Sequence, residues 1–276
     1  MNYRHAYHAG NTCDVVKHAI LCLLLDYLKQ KDKGFAVLDT HAGTGRYDLS
    51  GEQAQKTREA NEGIQGLWKN LKEKPPLLRD YLTIVEKFNP TQELTTYPGS
   101  PLLTLELERP QDRLIACELH PEDNHTLYQT LHTYPNVQIH RRDGYEAIKA
   151  FLPFPEKRGL IFIDPPYEKP DEYQQLVKAI QTVATKAPGH MLAIWYPIKE
   201  RPSIWRFHED VAKLGLLKTL IAEFIFCPEQ RSDRLNGSGF LFLNPPWVLE
   251  EQLRDLFPLL HEILQTTHQE TIIKSL

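Results

Sequence analysis

The chain has 276 residues, of which 41% are hydrophobic and 25% charged, and its 32 Lys and Arg against 36 Asp and Glu give a net charge of −4 with His neutral. This composition is typical of soluble globular proteins and excludes a disordered or collagen-like chain. The mildly acidic total also argues against a protein that coats nucleic acid by bulk charge, but it leaves room for a local basic surface.

The cysteines and the N-terminus indicate the cellular compartment. Only four cysteines are present and no two form a C-x-x-C pair, which excludes a dense disulfide framework and a thiolate zinc cage. The most apolar early stretch, residues 19–28, is interrupted by Asp26, so neither a signal peptide nor a membrane span is predicted. We therefore expect a cytoplasmic protein without a membrane partner.

Short aliphatic runs alternate with helix-period segments along the chain, which is the pattern of an open, mostly parallel α/β sheet. A first helix is predicted after Asn11, a suitable N-cap, and it should end near Lys29. Seven strands are predicted, at residues 35–39, 114–118, 137–140, 160–164, 191–196, 220–226 and 239–244.

Four of these strands end in, or run into, polar residues. The side chains are Asp39 with His41, Glu118, Asp143 and Asp164. Ligands of open α/β sheets bind at the carboxyl ends of strands, so we expect these residues to line one crevice.

The spacing of these residues predicts an insertion. In nucleotide-binding α/β units the acidic residue for the ribose follows the Gly-rich turn by about 20 residues, whereas Glu118 lies 79 positions after Asp39. We predict a Rossmann-like domain formed by residues 1–47 and 98–276, and a small helical subdomain inserted at residues 48–97. The displaced helix should begin with Ser100 as its N-cap and Pro101 at its first position.

The sequence Asp164-Pro165-Pro166-Tyr167, directly after an apolar strand, is the most informative motif. The two prolines favour extended backbone and have no N–H to donate, so the loop presents a carboxylate and unpaired carbonyl oxygens beside an aromatic ring. Such a loop suits the exocyclic amine of a flipped base, with Asp164 and the Pro165 carbonyl as acceptors and Tyr167 as the stacking ring. A structural Pro-rich turn is the alternative for such a motif taken alone.

A second copy, Asn244-Pro245-Pro246-Trp247, also follows an apolar strand. Only 32 residues follow Asn244, too few to frame a central site, so we interpret this copy as structural.

Two further segments are candidates for ligand contact. The Gly-rich turn at residues 38–47 lets a ligand approach the backbone closely, but it is not G-x-G-x-x-G, which argues against hydride transfer. The N-terminal stretch from Tyr3 to Asn11, with Lys17 and His18 behind it, interleaves aromatic and basic residues that can stack bases and contact phosphates. Its His and Cys spacing matches no familiar zinc pattern, so no metal is expected.

Several motifs, in order along almost the whole chain, resemble those of a bacterial family of large-subunit ribosomal RNA adenine-N6 methyltransferases called RlmJ. They are YRHAYHAGN with DVVKH, LDTHAGTGRY, YPGSP, CELH, RDGY, IDPPYE, AIWYP and NPPW. The chain departs from the family pattern at Thr12-Cys13 and Thr44, which avoid the matched site positions.

The resemblance implies a class I, Rossmann-like methyltransferase with S-adenosyl-L-methionine as methyl donor and one adenine of 23S ribosomal RNA as target. It implies Asp164 as the catalytic residue and Tyr3 at the RNA substrate. The positions that match cofactor-contacting residues of the family are His18, His41, Ser100, Glu118, Asp143, Gly144 and Asp164. We expect a monomer that acts on ribosomal RNA.

The sequence leaves alternative functions open. The same D-P-P-Y chemistry serves adenine-N6 and cytosine-N4 methyltransferases of DNA, although no separate sequence-reading domain is visible. A non-catalytic RNA-binding protein with the same fold would not need Asp164 and an intact donor pocket. A glutamine methyltransferase would normally present Asn at position 164, so it ranks lower.

Overall fold

A computed structural model of the protein describes residues 4–91, 93–228 and 234–276. Within them the strands are β1 Ala36–Asp39, β2 Arg46–Asp48, β3 Thr96–Pro98, β4 Arg113–Cys117, β5 Val137–His140, β6 Gly159–Ile163, β7 Met191–Ile198, β8 Thr219–Ile225, β9 Gly237–Leu243 and β10 Glu270–Lys274. The α-helices are α1 Thr12–Lys29, α2 Glu52–Thr57, α3 Ile64–Asn70, α4 Arg79–Lys87, α5 Ser100–Leu107, α6 Pro121–Leu131, α7 Gly144–Phe151, α8 Glu172–Lys186, α9 Arg201–Ala212 and α10 Leu249–Leu264.

The main sheet has the order β10-β8-β9-β7-β6-β1-β4-β5. The five strands from β5 to β7 are parallel neighbours, and β9, β8 and β10 add antiparallel pairs at one side. Because parallel strands must be shielded on both faces, helices cover each side. One core contains residues of α1, α5 and α10, and the other contains residues of α7, α8 and α9.

The predicted α/β class is confirmed, but the predicted number of seven strands was wrong. All seven predicted strands form, within two residues of their predicted ends, and β10 adds an eighth at the edge of the sheet beside β8. Its residues are exposed or only partly buried, so it lacks the continuous apolar run that marks the inner strands. A separate pair, β2 with β3, is antiparallel.

Helices α2, α3 and α4 lie between β2 and β3, in the segment predicted as an insertion. Strands β2 and β3 pair with each other, with Tyr47 opposite Tyr97. The two ends of this segment therefore lie side by side, just before α5 begins. Buried residues of these helices, such as Leu67 and Leu82, belong to the same core as α1 and α10. The division into two domains at residues 48 and 97 stays a prediction.

Helix α1 begins as predicted. Asn11 is its N-cap, and the Asn11 side chain accepts a hydrogen bond from the backbone N–H of Asp14. The helix ends at Lys29 and is buried along most of its length. Among the described residues, no helix is long and apolar enough to cross a bilayer.

Candidate active site

The polar residues predicted to line one crevice follow four adjacent strands of the sheet. Strands β6, β1, β4 and β5 are neighbours and run in the same direction, with Asp39 of β1 opposite Phe162 of β6 and Ala116 of β4. Parallel neighbours end at the same edge of a sheet, so the residues that follow these strands share that edge.

The Gly-rich turn after β1 meets Glu118 after β4. The backbone N–H of Gly43 donates to Oε2 of Glu118 at 3.0 Å, and the N–H of His120 donates to Oε1 at 2.8 Å. Burial raises the pKa of Glu118, whose side chain is almost fully enclosed. Each oxygen keeps a second lone pair, so the carboxylate is held in place and can still accept hydrogen bonds from a ligand.

Asp143 and Gly144 lie where β5 turns into α7, next to the loop after β1. Oδ1 of Asp143 caps the helix by accepting from the backbone N–H of Tyr145 at 2.9 Å. A Cβ atom at Gly144 would lie 2.5 Å from the carbonyl oxygen of Thr40 and 2.8 Å from Cε1 of His41. Only glycine therefore fits between these two loops.

The imidazole of His41 is neutral at physiological pH, because burial lowers its pKa to about 4. Its Nδ1 lies 2.8 Å from Oγ1 of Thr40, and its ring meets the ring of Tyr145 edge to face. His41 is thus held against Gly144 as an uncharged group.

Ser100 does not cap α5 as predicted; it is the first residue of the helix, and Gly99 is the N-cap. The Ser100 hydroxyl instead donates to Oδ2 of Asp39 at 2.6 Å. Asp39 is 1% exposed, and burial raises its pKa to about 7. A buried carboxylate needs a partner of this kind, which is why the hydroxyl is drawn away from the helix end.

Asp164 lies against the ammonium of Lys17, which comes from α1. Lys17 also pairs with Oδ1 of Asp14 at 2.8 Å and is 3% exposed. Burial by itself would lower the pKa of Lys17, but the carboxylates of Asp14 and Asp164 raise it well above its usual value. Only Oδ2 of Asp164 takes part in this pair; Oδ1 has no hydrogen-bond partner within the part of the chain that the structure describes.

Tyr167, the last residue of the D-P-P-Y motif, has a left-handed backbone conformation with φ of 52°. Its hydroxyl donates to the carbonyl oxygen of Trp195 at 2.6 Å, and its ring contacts those of Trp195 and Tyr173. Lys17 lies 5.2 Å from the centroid of the Trp195 ring. Left-handed backbone at a bulky residue costs free energy and occurs preferentially at functional sites.

His18 is buried behind this edge on α1. Its Nδ1 lies 2.7 Å from the hydroxyl of Tyr97, which in turn lies 3.0 Å from that of Tyr81. Burial lowers the pKa of His18 to about 3, so the ring is neutral. Tyr97 lies three positions before Ser100, and His18 is thus tied to the strand that leads into α5.

The N-terminal segment joins α1 to α6. Arg4 pairs with Glu122 and, at 2.7 Å, with Asp123, both in the first turn of α6. Nε2 of His5 lies 2.9 Å from Oδ2 of Asp14. Tyr3, predicted at the RNA substrate, lies outside the described residues.

The second proline motif lies at the opposite edge of the sheet. Strand β9 is antiparallel to β7, with Leu243 opposite Leu192, so Asn244 follows β9 where β7 begins. The Asn244 side-chain amide donates to the carbonyl oxygens of Pro188 at 2.9 Å and His190 at 3.0 Å. It is therefore remote from the edge that carries Asp164.

Comparisons with known proteins agree with these motifs. A family model described as "Ribosomal RNA large subunit methyltransferase D, RlmJ" matches residues 32–273. Proteins named "Ribosomal RNA large subunit methyltransferase J" from Escherichia coli and Haemophilus influenzae are each 40% identical to this chain, over 96% of this chain and 94% of theirs. A crystal structure of a Legionella pneumophila protein, 34% identical, covers 97% of this chain and 98% of its own with a TM-score of 0.91.

The chain belongs to the RlmJ family. The match extends over both sides of the inserted helices as well as the insertion itself, because it runs from residue 32 to residue 273. The resemblance that the motifs predicted is thereby confirmed at the level of the family.

Several site residues of this RlmJ-family chain are not evident from its sequence. The sequence predicted Lys17 among residues that contact phosphates, which is wrong, because Lys17 is buried between Asp14 and Asp164. The sequence marks Asp14 only as part of a helix start and Trp195 only as part of a strand. The Lys17–Asp164 contact joins positions 147 residues apart, so no local pattern could reveal it. The one sequence signal for this contact was a lysine on the buried face of a helix. Burial of an ammonium without a partner costs much free energy, so such a lysine predicts an acidic partner.

Proposed function

We propose that this protein is a 23S ribosomal RNA adenine-N6 methyltransferase that uses S-adenosyl-L-methionine. The observation that carries the proposal is the Asp164-Pro165-Pro166-Tyr167 loop, whose carboxylate lies against Lys17 at the edge of the sheet where Glu118 and Asp143 also lie. Family membership supports the ribosomal RNA substrate, and the geometry supports the chemistry.

The donor pocket is proposed from the residues after β1, β4 and β5. Glu118 accepts the ribose hydroxyls, since both of its oxygens are fixed by backbone N–H groups and keep free lone pairs. Asp143 and the backbone of Gly144 contact the edge of the donor's adenine ring, with neutral His41 beside them. His18 and Ser100 complete the wall on the α1 and α5 side. When bound, the donor supplies an electrophilic methyl group on a sulfonium sulfur.

The target amine is held by the D-P-P-Y loop. Oδ1 of Asp164 and the carbonyl oxygen of Pro165 accept its two N–H bonds, which orients the nitrogen and draws it toward tetrahedral geometry. Adenine N6 becomes acidic only as it gains the methyl group, so the proton leaves to Asp164 or to water with or after transfer. Lys17 fixes Asp164 through the other oxygen, Oδ2.

Tyr167 provides the face on which the flipped base stacks. Its hydroxyl bond to Trp195 and its packing against Tyr173 fix the orientation of the ring. A half-buried ring held in this way limits the stacked base to one plane. The amine of the base is therefore already oriented toward Asp164 when the base is bound. The resemblance to the family assigns Tyr3 to the RNA substrate as well.

We place this activity in a monomer in the cytoplasm. One chain carries every residue assigned above, so the reaction needs no second subunit. The four cysteines are buried free thiols, which suits a reducing compartment.

The test is transfer of labelled methyl from S-adenosyl-L-methionine to protein-free large-subunit ribosomal RNA, with genomic DNA as a second acceptor. The unchanged protein should label the RNA, and nuclease digestion should release the label as N6-methyladenosine. Asp164→Asn keeps the size of the side chain but removes the charge, and it should lower kcat by about 10² to 10⁴-fold. Asp171→Asn changes an exposed aspartate seven positions further along the chain and should have little effect.

Label in DNA alone would contradict the proposed RNA substrate but would agree with the proposed methyl-transfer chemistry. Full activity of Asp164→Asn would overturn the proposed role of Asp164. Donor binding provides an independent control, because a ligand at 100 times its Kd adds about 2.7 kcal/mol to the free energy of unfolding. Asp164→Asn should retain most of this stabilisation.

A further inference from the structure

A groove with unpaired positive charge lies at the edge of the sheet opposite Asp164. It lies between the end of α1, the starts of β6 and β7, and the second proline motif, and its cavity has a volume of about 300 Å³. We call it the basic groove, and its lining includes Lys31, Arg158, Lys218, Asn244 and Pro246.

Within the part of the chain that the structure describes, the charges of the basic groove have no acidic side chain in contact with them. Lys31, Arg158 and Lys218 line it, and no Asp or Glu does. Among residues 4–91, 93–228 and 234–276, none of these three side chains forms an ion pair. Arg158 has only a long hydrogen bond, 3.4 Å, to the carbonyl oxygen of Lys33. Burial lowers the pKa of Arg158, because this guanidinium is partly desolvated and the opposing effects of Tyr27 and Asp112 compensate only part of the loss of water.

The groove brings together three of the 32 Lys and Arg of a chain with a net charge of −4. Some other cations of the protein are neutralised locally, as where Arg113 pairs with Glu156, Arg109 with Asp112, and Lys213 with Asp210. Three neighbouring cations without such partners attract an anion, and phosphate is an anion that Lys and Arg side chains bind well.

An exposed aromatic residue lies beside the groove. Trp247 directly follows Pro246 and is 82% exposed. Asn244, three positions earlier, has a left-handed backbone conformation with φ of 51°. Its side-chain amide donates two hydrogen bonds to the loop before β7, which fixes this turn. The motif is therefore structural at Asn244, as expected, but nothing in its packing accounts for Trp247. A basic groove with an exposed indole is the combination that binds a nucleic-acid backbone together with a stacked base.

We propose that the basic groove binds phosphates of the RNA substrate, away from the target adenine, with Trp247 stacking on a base. This inference rests on the proposed function, because it takes the RNA to be the substrate. Strand β6 has five residues and so separates the two edges by about 16 Å, at roughly 3.3 Å per residue. The groove therefore contacts nucleotides other than the one that enters the D-P-P-Y loop.

The test measures binding and methylation of protein-free large-subunit ribosomal RNA at several KCl concentrations. The groove variant combines Lys31→Gln, Arg158→Gln and Lys218→Gln. The matched control variant combines Lys72→Gln, Lys149→Gln and Lys178→Gln, which removes three positive charges from exposed positions elsewhere that also form no ion pair among the described residues.

Each lost phosphate contact should reduce the slope of log K against log salt by about 1. The groove variant should therefore lose two to three units of slope and bind RNA at least tenfold more weakly at about 0.15 M salt. Its KM for RNA should rise while kcat and donor affinity stay unchanged. Trp247→Ala should weaken RNA binding by about fivefold or more with an unchanged slope, because it removes stacking and not charge.

Equal slopes and equal KM values for the groove and control variants would overturn this inference and leave the proposed function intact. Absence of RNA binding and RNA methylation by the unchanged protein would overturn both. Thermal unfolding of each variant shows whether it is folded; all six charged positions are at the surface or half-buried.

Discussion

The Asp39–Ser100 pair makes the free energy of unfolding depend on pH in a predictable way. Asp39 is 1% exposed and accepts a 2.6 Å hydrogen bond from the Ser100 hydroxyl. Burial disfavours its charged form and raises its pKa to about 7, from about 3.8 in the unfolded chain. Asp39→Asn keeps the shape and an oxygen that can accept from Ser100, but it removes the titration.

The magnitude is set by the pKa difference of about three pH units. Each unit corresponds to 1.36 kcal/mol, so ionisation of Asp39 costs the folded state about 4 kcal/mol. Because the pKa of Asp39 is higher in the folded chain than in the unfolded chain, its protonated form contributes to the free energy of unfolding. This contribution is complete below about pH 4 and is lost as the pH rises through 7. The unchanged protein should therefore lose about 4 kcal/mol relative to Asp39→Asn between pH 4 and pH 8.

Urea unfolding of both proteins at pH 4, 5, 6, 7 and 8 measures this difference directly. Effects of all other titrating groups cancel when the two curves are subtracted, provided that the groups do not contact position 39. A difference for Asp39→Asn that stays constant within about 1 kcal/mol would refute the reasoning, since Asp39 would then titrate equally in both states.

Two other substitutions test the site. Lys17→Met should lower the free energy of unfolding at pH 7 by about 3 to 5 kcal/mol in urea titrations, because it leaves two carboxylates without their shared buried cation; a loss below about 1 kcal/mol would contradict this account. Gly144→Ala should weaken binding of S-adenosylhomocysteine at least tenfold in calorimetric titrations, since its Cβ would clash with Thr40 and displace His41. Unchanged affinity in Gly144→Ala would show that these loops separate freely.

The strands were predictable because each inner strand is buried on both faces and therefore appears as a continuous apolar run. Strand β6 is the clearest example, with all five residues buried. Strand β10 was missed because it lies at the edge, where only Ile272 and Ile273 are partly buried. Edge strands gain most of their stability from pairing with one neighbour, and sequence patterns within the strand do not report that neighbour.

The site was predictable where its residues follow strands directly, as Glu118 and Asp164 do. It was not predictable where two distant segments meet. Ser100 was expected to cap its own helix, which is the usual role of a serine before Pro101, but the hydroxyl bonds Asp39, 61 positions away. The local preference was outweighed because an unpaired carboxylate in this buried position costs more than an uncapped helix end.

The distribution of charge separates the two tasks that this protein performs under the proposed function. The edge that carries Asp39, Glu118, Asp143 and Asp164 is acidic, and the cation closest to Asp164, Lys17, is already shared between two carboxylates. That edge can orient an amine and hold ribose hydroxyls, and it also carries Arg141 and Arg142, directly before Asp143. Under the inference above, the basic groove at the opposite edge adds three further cations, Lys31, Arg158 and Lys218, that form no ion pair within the described chain. Raising the salt concentration should accordingly weaken RNA binding much more than donor binding, because only the former depends on exposed charge.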